Sequence, residues 1–424
     1  MTLHRRTLLA GAAAAAGATA IAACSPNGSG TPGGGDQVTV RFSIWFGEGD
    51  IEVWKSVIAG FEKANPGIKI KFEPLEYSAF WTKLNTQFAG NSAPDVFGMQ
   101  FQSSSFGPAG QLAPLTDAVA AEIATIPANL AQIGQVDHDG AVQQYALPWR
   151  FVGASLYANT TALQKAGIAV PTEWTRDDYL AAAKELTGGK TFGTNVPSGG
   201  AGVAIASGFG AQAVSDDGRT AMYNTPEMIA YKTFVRDLVH VHKVAPNPDS
   251  VSSQKDPFGT ETFAMAFMGS WNTPVYRKIT AFEWDILPNP SGERPVKNYA
   301  GPDMISVYGK SKVVEAATKF VTYAVFDRAA QELIGTTGMP VLTEYLTDDA
   351  RIEAEAKLKP ANYRYFVDQA SENGAGWGFV PKFADIGKLE GDADFKILES
   401  GSSDIAAILG ELNNQVQAAL DSTK

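Results

Sequence analysis

From Val38 onward the chain alternates between two hydrophobic periods. Val38 to Phe46 reads VTVRFSIWF, β-branched and aromatic, and a polar turn, Gly47-Glu48-Gly49-Asp50, separates it from an apolar stripe of helical period that runs to about Ala64. This predicts a strand, a loop and a helix. Asn65-Pro66-Gly67 ends that helix, because proline disfavours helical geometry in the residue before it. Ile68 to Leu75 then predicts a second strand, Tyr77 to Ala89 a second helix and Pro94 to Gln100 a third strand. Alternation at this spacing predicts an α/β fold with a parallel sheet and right-handed crossovers.

The pattern restarts after Leu147-Pro148. Phe151 to Asn159 is strand-like, with helices near Thr161 to Ala166 and Arg176 to Leu186. The Gly-rich span from Ser198 to Gly210 is too hydrophobic for a linker and predicts close helix packing; no Gly-Lys-Ser/Thr follows, so it is not a P-loop. Further on come a helix near Pro226 to His242, strands at Phe263 to Met268, Trp284 to Leu287 and Met304 to Tyr308, and a helix near Lys312 to Phe326. The final 60 residues read as helical, ending in the amphipathic AAILGELNNQVQAAL.

Length and charge bound this picture. At 424 residues with 45% hydrophobic and 19% charged side chains, the chain is too long for one core, and two domains is the working division. Its 34 basic and 45 acidic side chains give a net charge of -11, which lacks the basic footprint of nucleic-acid binding. The single cysteine, Cys24, rules out a disulfide framework and a multi-cysteine metal site.

The residues before Val38 carry an address. Arg5-Arg6 precedes an uncharged Ala-rich run, Leu8 to Ala23, which makes a basic n-region and an h-region; the pair resembles a twin-arginine (Tat) export signal without its full motif, so Sec export stays open. Ile21-Ala22-Ala23-Cys24 resembles a bacterial lipobox, implying a leader over 1–23 and acylation of Cys24. Residues 24–36 are a Gly/Ser/Pro tether with nothing to pack, as a lipid-anchored domain requires. Without Arg5 and Arg6, 32 basic and 45 acidic side chains remain, a balance of -13.

Five segments together carry a resemblance: FEKANPGIKIKFEPL, GNSAPDVF, LPWRFVGASLYANTTALQKAGI followed by PTEWTRDDYLAAAKELT, AMAFMGSWNTP, and GKSKVVEAATKFVTYAVFD. In this order, behind a lipobox and tether, they resemble the extracytoplasmic solute-binding proteins of ABC importers, in the carbohydrate group that includes maltose-binding protein. The resemblance implies a two-lobe periplasmic-binding-protein-like fold with lobe 1 over 37–150 and 301–343 and lobe 2 over 151–300 and 344–424. The chain would cross near Arg150, Gly301 and Met339 to Thr343. It further implies a sugar in the cleft, hinge closure, delivery to ABC permease subunits, a monomer touching the membrane only through its lipid, no cofactor and no nucleic acid.

A sugar ring offers an apolar face and a hydroxyl rim, so its site needs flat aromatics and polar side chains on loops at strand ends. Trp271, in Gly269-Ser270-Trp271-Asn272, matches a family position that stacks on sugar; core packing is its alternative. Trp149 and Arg150 lie at the first crossing, and Trp377 stands in a Gly-rich loop. Glu48 follows the first strand. Gln100, Gln102 and Ser103 follow the third, as neutral groups where maltose-type proteins place a charge. Asn298, Tyr299 and Asp303 surround the returning crossover, and Tyr77 and Arg364 are weaker candidates. An enzyme reading finds no HExxH, GxSxG, P-loop or cysteine nucleophile. A lipid-anchored glycoside hydrolase remains the alternative from another class, since two carboxylates suffice, and a non-sugar solute the alternative among binders.

Overall fold

The structure, a computed structural model, describes residues 37–138, 140–371 and 383–422. The leader over 1–23, the tether over 24–36 with Cys24, and Trp377 lie outside the described residues. The opening alternation is as the periodicity predicts: β1 (Val38–Trp45), α1 (Asp50–Ala64), β2 (Ile68–Leu75), α2 (Tyr77–Ala89) and β3 (Val96–Met99). β1 runs parallel to β2, from Val38 opposite Ile68 to Trp45 opposite Leu75, and parallel to β3. Its inward residue Phe42 meets Trp54 of α1 edge-on at 4.7 Å, which fixes helix on sheet.

β4 (Leu147–Asn159) is buried at every position. α3 (Arg176–Leu186) starts in a Thr175/Asp178 capping box. α4 (Gly199–Phe209), α5 (Pro226–His240), β5 (Met265–Gly269), β6 (Trp284–Leu287) and β7 (Ala300–Val307) follow. α6 (Val314–Phe326), α7 (Arg364–Ser371), α8 (Phe383–Glu399) and α9 (Ile405–Asp421) complete the order used below. The main sheet runs β2-β1-β3-β7-β4-β5, with β6 also pairing β4.

The expectation of a parallel sheet holds for β1 to β3 and fails beyond them. β7 is antiparallel to β3 and to β4, and β4 is antiparallel to β5 and β6. Hydrophobic period reports which faces are buried, and a strand buried on both faces reads the same in either direction. β4 is long enough to serve two sheets: Leu147 to Gly153 pairs with β7, and Ala154 to Asn159 with β5 and β6. A bridge from Phe151 to Met339 brings a third segment to the same place, so the segments around Arg150, Gly301 and Met339 meet side by side.

One hydrophobic cluster surrounds β1, β3 and β7; the other gathers α3, α4, α5, α8 and α9. α9 buries Ile405, Leu409, Leu412, Val416 and Leu420, a helical stripe. The glycines of α4 do give close packing: a Cβ on Gly200 would sit 2.5 Å from the Tyr299 ring. Among the described residues no helix is long and apolar enough to cross a membrane.

Candidate functional site

Loops at the ends of β1, β3 and β5 gather around the crossings. After β1, Phe46 and Glu48 are exposed, and the loop turns into α1 through Gly49 at φ 83°, a left-handed conformation that side chains rarely adopt. A Cβ there would also meet Thr337 at 3.1 Å. Asp50, the first residue of α1, is buried and accepts the Gly47 backbone N–H at 2.7 Å, which sets the loop. The Lys278 ammonium, beyond β5, reaches the Glu48 carboxylate at 2.5 Å, so the β1 and β5 loops face each other.

After β3 the polar groups form a chain. Tyr77, 44% exposed at the start of α2, donates its hydroxyl to Gln100 Oε1 at 2.9 Å. Gln100 Nε2 lies 3.5 Å from Asp303 Oδ1, and its backbone N–H is taken by Gln102 Oε1 at 3.0 Å. Gln102 and Ser103 are buried, the Ser103 hydroxyl without a partner. Trp45 stacks on Trp81 and takes Tyr77 edge-on, each at 5.7 Å, a wall that holds the phenol.

Beneath Gln100 lies an ionic triad. Arg150 on β4 and Asp303 on β7 are register partners. Arg150 Nε donates to Asp303 Oδ2 at 2.7 Å, and Nη1 donates to both Asp50 oxygens at 2.9 and 3.0 Å. All three are almost fully buried. Burial pushes the Asp303 carboxyl above its ordinary range against the pull of Arg150. Burial also works against the guanidinium charge, but Asp50 and Asp303 outweigh it and hold Arg150 above its own range. The sequence placed Arg150, Asp303 and Trp149 against ligand. The structure puts the first two behind Gln100, and Trp149 in the core against Trp54 at 4.9 Å with no exposed face.

On the other side Trp271 is 41% exposed at the end of β5. Its ring lies over Gly269, where a Cβ would come 2.0 Å from the indole, so the glycine two residues earlier is what lets the ring lie there. Tyr299 is buried against Gly200 and Gly301, and burial raises its hydroxyl far above the usual range. Asn298 accepts from Asn289 and from the Tyr365 hydroxyl, both at 3.0 Å. Arg364 instead pairs with Asp349 at the surface. A cavity of about 1110 Å³ opens beside Asn298 and Tyr365, walled by α4, α5 and α8.

Sequence reasoning missed Phe46, Lys278 and Tyr365. Phe46 carried a signal, an aromatic at the tip of a strand before a polar turn; the other two carried none. His240 bonds the Leu398 carbonyl of α8 at 2.9 Å. Among the described residues no group of His, Cys, Asp or Glu is arranged to hold a metal.

Comparison with known proteins bears on this architecture. The family model for bacterial extracellular solute-binding proteins matches residues 48–331. An uncharacterized lipoprotein in the oleD 5' region of Streptomyces antibioticus is 25% identical over 80% of this chain and 80% of its own. The diacetylchitobiose binding protein DasA of Streptomyces coelicolor is 25% identical over 83% of this chain and 86% of its own. Among solved structures, an ABC substrate-binding protein from Listeria monocytogenes in complex with cycloalternan superposes with a TM-score of 0.82 at 23% identity, covering 91% of this chain and 100% of that one. With the family model spanning most of the chain and a two-lobe α/β fold to match, this chain belongs to the bacterial extracellular solute-binding proteins.

Proposed function

We propose that the protein binds a sugar in the cleft and delivers it to an ABC importer by closing its lobes. The observations that carry this are Trp271, an exposed ring laid over Gly269, and the ordered Tyr77–Gln100 pair after β3. That is an apolar face plus a hydroxyl rim, the two surfaces a sugar presents. Ligand contacts are assigned to Trp271, Tyr77, Gln100, Glu48 and Asn298, with Arg150 and Asp303 behind them. Relatives support the same class, since one is named for diacetylchitobiose and another was solved with cycloalternan.

Sugar touching both lobes shifts the population toward the closed form by its differential affinity. We assign the lobes to 37–150 with 301–343 and to 151–300 with 344–424, working as a monomer held at the membrane by lipid on Cys24, with permease subunits as partners and no catalysis of its own. Thermal-shift screening of mono- and oligosaccharides tests the reading. A ligand at a hundred times its Kd adds about 2.7 kcal/mol to stability. Absence of a shift from every sugar, with a shift from an amino acid or polyamine, overturns it, and a sugar recovered as shorter products overturns the non-enzymatic part.

A further inference from the structure

We infer that Asp303 is a positioning residue that fixes the hydrogen-bond polarity of the cleft rim, turning the Gln100 amide so that this rim accepts hydrogen bonds from ligand hydroxyls. The inference rests on the sugar-binding reading for its ligand, and on the described contacts alone for its geometry.

Two neighbours decide which way the Gln100 amide points. On one side is the Asp303 carboxylate, an acceptor only when ionised, and Arg150 Nε at 2.7 Å stabilises that ionised form. At 3.5 Å the contact to Gln100 Nε2 is long for a hydrogen bond. The reversed amide, however, would set a carbonyl dipole against a carboxylate at the same distance, so the sign of the contact selects the NH₂ side. On the other side Gln100 Oε1 is therefore left for Tyr77, whose hydroxyl must donate to it, at 2.9 Å. A phenol has one proton, and once it is committed the phenol oxygen offers only lone pairs, one of them taken by the Trp81 indole N–H and the other left outward. Tyr77 is the exposed end of this chain, and Gln100 is half-buried. A group arriving there meets two acceptors, the Tyr77 oxygen and the second lone pair of Gln100 Oε1. It must therefore bring a donor: a hydroxyl fits, and a fluorine or an ether oxygen at the same position leaves lone pairs facing lone pairs.

Two measurements test this. The first needs no ligand: side-chain amide NMR of the full-length protein labelled with [¹⁵N]glutamine, the Gln100 pair being identified by its loss in Gln100→Leu. The Gln100 proton that faces the carboxylate is expected further downfield than its counterpart in a solvent-exposed glutamine amide, and Asp303→Asn should shift it upfield while Trp271→Ala leaves it. An unchanged Gln100 signal in Asp303→Asn overturns the proposal. The second uses calorimetry with maltose and its monodeoxyfluoro forms as probes. In the wild type, fluorine at one hydroxyl is expected to weaken binding at least tenfold, and in Asp303→Asn, where the amide is free to turn, by threefold or less. Equal penalties in both proteins overturn the inference, because a merely structural role lowers hydroxyl and fluoro affinity alike. Failure of maltose and every other sugar to bind counts against the functional reading only; the amide signal still decides the polarity.

Discussion

Around β1 and β3 the polar groups at the cleft are wired inward: Tyr77 to Gln100, Gln100 to Asp303, Asp303 to Arg150, and Arg150 to Asp50, which holds the loop at Gly47. At the end of β5, Trp271 stands exposed over a glycine. One side spends buried charge on orientation, while the other spends exposed apolar area on contact. Damage to the first is therefore expected in the fold, and damage to the second in binding alone.

The strongest way to break that contrast is Arg150→Ala. It leaves Asp50 and Asp303 buried and uncompensated, so urea unfolding should show a loss of about 3–5 kcal/mol. An unchanged midpoint would mean the triad does not hold the crossings. Trp271→Ala is the opposite case: sugar affinity by calorimetry should fall about tenfold, with apo stability moved by no more than about 0.5 kcal/mol. Gly269→Ala sharpens the same point, because its Cβ displaces the indole without deleting it, and affinity should fall by a similar factor. Lys278→Glu opposes Glu48 across the cleft. As that pair is exposed on both sides, affinity should drop only a few-fold at low salt and recover at 1 M salt.

The smallest effect lies at Glu73 on β2. Burial raises its carboxyl, but Arg41, Lys71 and Lys83 outweigh this and hold it below the usual range. Its contribution is thus present above the ordinary glutamate range and lost as pH falls through the lowered value. Glu73→Gln should be slightly less stable than wild type at neutral pH, by under about 1 kcal/mol, and the gap should close in acid. A gap that widens in acid would reverse the sign of this assignment.

Local pattern carried the first half of the fold. Ile68–Leu75 and Tyr77–Ala89 stand where period and punctuation put them, because each is set by neighbours a few residues away. Strand direction was not legible, since β7 pairs with β3 only after β4, β5 and β6 have intervened along the chain. The site divided along the same line. Trp271 was visible because Gly269-Ser270-Trp271-Asn272 follows a predicted strand and matches a family position that stacks on sugar. Arg150 was visible as a charge at a crossing, but its partners stand 100 and 153 residues away, and no spacing shows that both carboxylates converge on one guanidinium. LPWRFVGASLYAN is buried throughout, and such a run cannot announce which of its residues turns toward a cleft.

The place of β7 between β3 and β4 also sets a clock. Gln100 and Asp303 are 203 positions apart, so at about 5–20 residues per second the ribosome needs roughly 10–40 s to deliver the strand that covers β3. Through that interval the first three strands have one side of their sheet unpaired, an edge open to the wrong partner. A chain that folds as it is made therefore carries an unpaired strand edge from β3 until β7 arrives, before any sugar has a cleft to enter.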